Sequence, residues 1–209
     1  MNKIPIIAYP RSGNTYLQMS LDTFIKVNSL DVSIESHGHN PLDLRLNEKS
    51  IFILRDPLYA IASFCYMNVD PEYMQRRINT ISSLHTFIDK QFNKYNLFIT
   101  EFLKNNNSKL LPFDYLINED INIVIANIFN YMGISLGPEI RYLTSHHQDS
   151  FPAHNSNYYE NNKYGVNFPR GIENDPEYMH IYNSVKNHYK ASRTKEVYQE
   201  IINKYSNDL

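Results

Sequence analysis

The chain alternates short apolar runs with longer segments in which apolar residues recur every three or four positions. The first type of segment is typical of buried strands and the second of amphipathic helices. Strands are predicted at residues 3–9, 31–36, 51–54 and 109–113. Helices are predicted at residues 15–27, from Pro57 onward, over 71–103 as a long amphipathic pair, and at 121–132 up to Gly133. This alternation predicts an α/β fold with a central parallel sheet flanked by helices.

The last third of the chain has a different character. Residues 145–174 are dense in Asn, His, Tyr, Gly and Pro, which predicts a long loop that folds over a ligand. Two amphipathic helices, at 176–191 and 195–205, are predicted to close a helical C-terminal part. At 209 residues the chain is expected to form a single domain over 1–209, with a core of about 1–136 and a lid loop and helices over 137–209.

Composition narrows the class of protein. Hydrophobic residues make up 42% of the chain and charged residues 20%, which is typical of a globular domain. With a net charge of -2 the chain has no overall positive field, so no nucleic-acid partner is expected. No apolar stretch approaches the length of a membrane span, and we expect no membrane partner. One cysteine, Cys65, excludes an intrachain disulfide; together with the absence of an export signal, this favours a cytoplasmic location.

Candidate chemistry begins at the first predicted strand-to-helix junction, Arg11-Ser12-Gly13-Asn14-Thr15. Unpaired N–H groups at a helix N-terminus attract anions. Gly13 allows a positive φ and a close approach to an anion, Ser12 and Thr15 add hydroxyl donors, and Arg11 adds a fixed positive charge. The alternative is an ordinary turn with a Ser or Asn cap.

This loop differs from that of the nucleotide triphosphatases. The pattern G-x-x-x-x-G-K-[ST], with its lysine and its magnesium-binding hydroxyl, is absent from the junction. A transferred group at this site would therefore need protein donors alone to balance its charge, so no metal is expected. A sulfuryl group fits that description.

Two segments carry a resemblance to a known family. Tyr9-Pro10-Arg11-Ser12-Gly13-Asn14-Thr15-Tyr16-Leu17 resembles the 5'-phosphosulfate loop of sulfotransferases that use 3'-phosphoadenosine 5'-phosphosulfate (PAPS). The segment 52–64 resembles the 3'-phosphate site of that family, where an arginine is followed eight positions later by a serine; Arg55 and Ser63 keep this spacing. The resemblance implies a P-loop NTPase-like sulfotransferase fold and a nucleotide-binding core.

The resemblance also implies roles for individual residues. The 5'-phosphosulfate would be bound by Arg11, Ser12, Gly13, Asn14 and Thr15, and the 3'-phosphate by Arg55, Ser63 and Arg170, while Tyr16 would stack on the adenine. His37 aligns with the catalytic base of the family, and His39 is its rival. Arg11 would stabilise the negative charge that grows on the departing phosphate during in-line transfer, and the product would be 3'-phosphoadenosine 5'-phosphate (PAP).

The sequence departs from the family at three of these positions and at Phe113, in the segment 110–116 that resembles a later strand of the family. Arg11 stands where lysine is usual, Asn14 where threonine is usual, Tyr16 where tryptophan is usual, and Phe113 where tyrosine is usual. The expected acceptor is a hydroxyl or amine on a small molecule, a saccharide or a peptide. Two other functions stay open: a kinase-like nucleotide-dependent phosphotransferase, and a non-catalytic protein that binds PAPS or PAP.

Overall fold

The computed structural model describes residues 2–36, 39–43, 48–69, 81–144 and 175–205. Its centre is a parallel sheet in the order β2-β1-β3-β4. The strands are β1 (Asn2–Ala8), β2 (Val32–Ser36), β3 (Ser50–Leu54) and β4 (Ser108–Pro112). The chain runs from β1 outward to β2 and then returns across β1 to β3, so the direction of winding reverses between β1 and β3.

Helices connect the strands and close the chain. They are α1 (Asn14–Val27), α2 (Pro57–Val69), α3 (Ile81–Lys104), α4 (Phe113–Asn118), α5 (Ile121–Met132), α6 (Pro176–Lys186) and α7 (Ala191–Tyr205). A short 3-10 helix, Pro41–Asp43, follows β2. None of the helices in the described ranges is long and apolar enough to cross a membrane.

Alternate residues of the buried strands belong to two separate apolar clusters, one on each face of the sheet. Ile7, Phe52 and Leu54 belong to a cluster that includes side chains of α2, α3, α6 and α7. Ile6 and Ile53 belong to a second cluster, with side chains of α1, α4 and α5. The sheet is therefore covered on both faces, and the loops to α1 and α2 begin at its carboxyl edge, where α4 follows β4 directly.

The predicted α/β class with a central parallel sheet flanked by helices is confirmed. Each predicted strand is present within about two residues, and α5 ends at Gly133, whose φ of 73° lies in the left-handed region. The predicted helical pair over 71–103 is described only from residue 81, as α3. The predicted lid, 145–174, lies outside the described residues.

Two boundaries differ from the prediction. Phe113, predicted as the last residue of a strand, begins α4 instead, because Pro112 caps the helix in an extended conformation and Asp114 lies in its first, electropositive turn. The last two helices separate at residues 187–190 rather than at the predicted 192–194. The His188 ring in this turn stacks on Phe92 of α3, which anchors the turn to the core.

Candidate functional site

The loops that follow β1 and β3 meet at the point where the winding of the sheet reverses. The register pairs Ile7 of β1 with Phe52 of β3, so the two strands end side by side. In open α/β sheets this crevice beyond the carboxyl ends is the usual place for a ligand. Both segments that carry the sequence resemblance leave the sheet here.

The loop after β1 turns sharply into α1. Arg11 has a φ of 67° and Gly13 a φ of 86°, both in the left-handed region, and the Ser12 amide donates to the Tyr9 carbonyl at 3.2 Å. In the described part of the chain no side chain caps α1, and the Leu17 amide is bonded to the Gly13 carbonyl at 3.0 Å. The amides of the first turn therefore form the electropositive end that attracts an anion.

Gly13 is required by packing as well as by its backbone angle. A Cβ atom at this position would lie 2.8 Å from Leu116 Cδ2 and 3.1 Å from Phe113 Cδ2. Both of these side chains belong to α4, which follows β4. The short helix α4 therefore packs directly against the loop and leaves space only for glycine at position 13.

Arg55, directly after β3, lies against the same loop. Its guanidinium Nη1 donates to the Arg11 carbonyl oxygen at 3.4 Å, and the residue is only 8% exposed. The centre of the guanidinium lies 4.6 Å from the centroid of the Phe113 ring and 5.6 Å from that of Tyr59. The two predicted anion-binding junctions therefore come together, with aromatic rings around the second cation.

Burial dominates the electrostatics of this arginine. Loss of water lowers the pKa of Arg55 to about 10; Tyr178 opposes this decrease, and the nearby positive charge of Arg11 adds to it. The side chain stays protonated at neutral pH. A bound anion would stabilise this cation, because the positive charge would then be balanced inside a poorly solvated site.

Two buried tyrosines, Tyr9 and Tyr95, support the backbone just beyond the ends of β1 and β3. The Tyr95 hydroxyl of α3 donates to the Arg55 carbonyl, and the Tyr9 hydroxyl donates to Gln91 Oε1 at 3.1 Å. The rings of Tyr9 and Tyr95 meet edge to face with centroids 4.9 Å apart. Burial raises the pKa of both hydroxyls, so they remain neutral donors.

Two serine hydroxyls at the site are buried without a hydrogen-bond partner in the described parts of the chain. Ser12 is 0% exposed and Ser63, on α2, is 2% exposed, and neither Oγ atom is bonded. A buried hydroxyl without a partner is uncommon and costs about 1–3 kcal/mol. These two belong to the two segments expected to bind phosphate, and they would be satisfied by anion oxygens.

The other loop residues differ in exposure. Asn14 and Tyr16 are half-buried and Thr15 is exposed. Tyr16 packs beside the cluster of α1 and α5, and partial burial, with a smaller effect of Asp120, raises its hydroxyl pKa. Asn14 is bonded through Oδ1 to Gln18 Nε2 at 2.7 Å.

One of the two candidate bases is described. His39 Nδ1 lies 2.8 Å from the carbonyl oxygen of Ala8, the last residue of β1. Partial burial lowers the pKa of His39, while the hydrogen bond to Ala8 raises it in part. The predicted base His37 and the predicted 3'-phosphate ligand Arg170 lie outside the described residues.

Sequence reasoning missed three contributors to this site. Phe113, which had only been noted as lacking a hydroxyl, lies against both Arg55 and the Gly13 position. Tyr95 supports the Arg55 backbone from a distant helix, and no pattern in the sequence could reveal this contact. Gln18 could have been found, because it follows Asn14 by four residues on one helix. In the described ranges, no group of three or more His, Cys, Asp or Glu side chains could hold a metal ion.

Comparisons with known proteins reveal a likeness of fold and none of sequence. No family model matches the chain, and no curated protein matches it in sequence. Among solved structures, mouse sulfotransferase SULT7A1 complexed with PAP superposes with a TM-score of 0.48 at 12% sequence identity. The alignment covers 93% of this chain and 87% of the mouse chain.

Proposed function

We propose that this protein is a sulfotransferase that moves a sulfuryl group from PAPS to a hydroxyl or amine acceptor. The observation that carries the proposal is the contact between the two junctions: the buried Arg55 guanidinium donates to the carbonyl of Arg11 in the first loop. Two cations at one crevice suit a ligand with two separate anionic groups. PAPS has such groups, at its 5' and 3' ends, and it supplies an activated sulfuryl group when it is bound.

The fit is supported by the buried hydroxyls as well as by the cations. Ser12 Oγ lies in the first loop and Ser63 Oγ two turns into α2, and both need a partner. Arg55, Tyr59 and Ser63 are spaced by four residues, so they follow one face of the chain as it enters α2. In this proposal Arg11, Ser12 and the α1 amides hold the 5' end, and Arg55 with Ser63 holds the 3'-phosphate.

A histidine of the segment after β2 acts as the general base in this proposal. His37 is the proposed base from the family resemblance, and His39 is the alternative that a specific observation favours. A carbonyl only accepts hydrogen bonds, so the bond to Ala8 places the proton of neutral His39 on Nδ1 and leaves the lone pair on Nε2. The lowered pKa keeps this ring neutral near pH 7, the state that accepts a proton from an acceptor hydroxyl.

Charge at the other end of the reaction is balanced by the first loop. Arg11 and the amides of the first turn of α1 stabilise the negative charge that develops on the departing phosphate. The positive φ of Arg11 is costly for a side chain with a Cβ atom, by about 1–2 kcal/mol. Such strain is concentrated at functional sites, and here it fixes the direction in which the Arg11 backbone turns.

The experiment is incubation of the purified protein with PAPS labelled in the sulfuryl group and a panel of alcohol, phenol, amine and saccharide acceptors, with and without EDTA. Label transfer that survives chelation supports the proposal. In a parallel assay with ATP labelled in the γ-phosphoryl group, transfer that requires Mg²⁺, with no transfer from PAPS, identifies a kinase-like phosphotransferase instead. Tight binding of PAP, the 3',5'-bisphosphate product, without transfer to any acceptor identifies a non-catalytic binding protein.

A further inference from the structure

Gln18 links the anion-binding loop to the end of β2. Its side-chain Nε2 donates to Asn14 Oδ1 and to Ser36 Oγ, in both cases at 2.7 Å. Asn14 is the first residue of α1 and Ser36 is the last residue of β2. Both hydrogen atoms of one amide nitrogen are thus used to join two segments that the fold brings to the same sheet edge.

The bond to Gln18 determines which end of the Asn14 amide faces the loop. With Oδ1 held by Gln18, the Nδ2 group of Asn14 is left to donate to other groups. An anion at the start of α1 accepts hydrogen bonds, so it is stabilised by this orientation and repelled by the reverse one. Threonine, the residue usual here in the resembling family, needs no such help, because a hydroxyl can both donate and accept.

The second bond places the same amide next to the histidine segment. Ser36 is paired with Ile6 of β1 in the sheet register and directly precedes residue 37. The hydrogen bond from Gln18 therefore ties the last residue of β2 to the helix that presents the anion-binding amides. Displacement of one segment would be transmitted to the other through a single side chain.

We infer that Gln18 is a positioning residue that turns the NH₂ group of Asn14 toward the bound 5' anionic group, with its own amide held in the required orientation by the bond to Ser36. This inference rests on the proposed function, since it concerns the same anion. Gln18 itself need not touch the ligand. Its effect is expected to depend on Asn14 and to vanish when residue 14 no longer has an amide to orient.

The test is a double-mutant cycle read by calorimetric titration with PAP. Gln18→Leu is expected to weaken PAP binding by about three- to tenfold, the range for one hydrogen bond. Asn14→Thr is expected to bind PAP within about twofold of wild type, and Gln18→Leu added to Asn14→Thr is expected to cause no further loss. Gln199→Leu is the matched control, because Gln199 also bonds to an asparagine four residues away but is exposed on α7.

The outcomes separate the inference from the function on which it rests. If wild type binds PAP and Gln18→Leu binds it equally well, the inference is wrong and the proposed function stands. If Gln18→Leu weakens binding equally in the wild-type and Asn14→Thr backgrounds, its effect is a general loss of structure and the inference is again wrong. If wild type does not bind PAP, the proposed function fails and the inference falls with it. Thermal midpoints of all variants establish that each is folded.

Discussion

Replacement of Arg55 by methionine is expected to make the ligand-free protein more stable while it weakens nucleotide binding. The side chain is 8% exposed, and burial lowers its pKa to about 10, well below the ordinary value for arginine. The charged form of Arg55 is therefore less stable, relative to the neutral form, in the folded state than in the unfolded chain. This destabilisation is present in full well below pH 10, and it is relieved as the pH rises from about 10 to the ordinary pKa of arginine, where the unfolded chain also loses the proton.

The magnitude follows from the size of this decrease. Each pKa unit corresponds to about 1.4 kcal/mol, so holding the cation in the fold costs roughly 3 kcal/mol at neutral pH. Methionine removes that cost but also removes the contact with the Phe113 ring at 4.6 Å and the long hydrogen bond to the Arg11 carbonyl, which together contribute about 1–2 kcal/mol. The expected net gain in the free energy of unfolding is therefore about 1–2 kcal/mol.

The assay is urea denaturation of wild type and Arg55→Met, each with and without PAP. Without PAP the variant should unfold at a higher urea concentration. With PAP, wild type should gain more stability than the variant, because binding to the folded state alone adds stability in proportion to affinity. Arg193→Met is the control, since the Arg193 side chain is 73% exposed and its removal should leave both quantities unchanged. A variant that is less stable than wild type would show that the buried charge is not a net cost to the fold, and equal stabilisation of both proteins by PAP would show that Arg55 does not bind the nucleotide.

Three further outcomes are expected, for the loop glycine, for the two histidines and for the buried cysteine. Gly13→Ala should cost about 1–3 kcal/mol more than Gly133→Ala, because both positions have positive φ but only the first would press a Cβ against α4; equal losses in urea denaturation would contradict this packing. Replacement of the catalytic base by glutamine, as His37→Gln or His39→Gln, should abolish sulfuryl transfer and leave the affinity for PAP unchanged. If His39 is the base, kcat/KM of wild type should fall on the acidic side at a pH below the ordinary pKa of histidine, because the pKa of His39 is lowered. If both variants keep the wild-type rate, neither histidine is the base. Cys65 is buried and its thiol pKa is raised, so a thiol reagent should label it only after unfolding; rapid labelling of the folded protein would contradict its burial.

Local patterns in the sequence were sufficient for the sheet and its connections. A short apolar run such as residues 51–54 is typical of a strand buried on both faces of a parallel sheet. Gly133 ends α5 in the left-handed conformation, with a φ of 73°, which glycine adopts without strain. The short helix at Phe113 was missed because its six residues are too few to show a period, and its start depends on Pro112.

The site could be predicted only as far as it is local. The residues of the first loop are contiguous, and their arrangement around Gly13 follows from the turn itself. That Arg55 would be buried between aromatic rings depends on Phe113, which is distant in the sequence and comes close only because β3 and β4 pair. The hydrogen bond from Tyr95 to the Arg55 carbonyl depends on helix packing across the sheet face, and the sequence has no local signal for it.

If two strand ends hold the two phosphates of one nucleotide, the protein must distinguish ligands that differ by one phosphate. Dissociation constants of PAP and of adenosine 5'-phosphate should be measured by calorimetry for wild type and Arg55→Met. Binding of the 3'-phosphate by Arg55 predicts that wild type binds PAP at least about tenfold more tightly, the effect of one charged hydrogen bond, and that the variant loses this preference while its affinity for adenosine 5'-phosphate is unchanged. Equal affinity of wild type for both nucleotides, or a preference for PAP that survives in the variant, would contradict it.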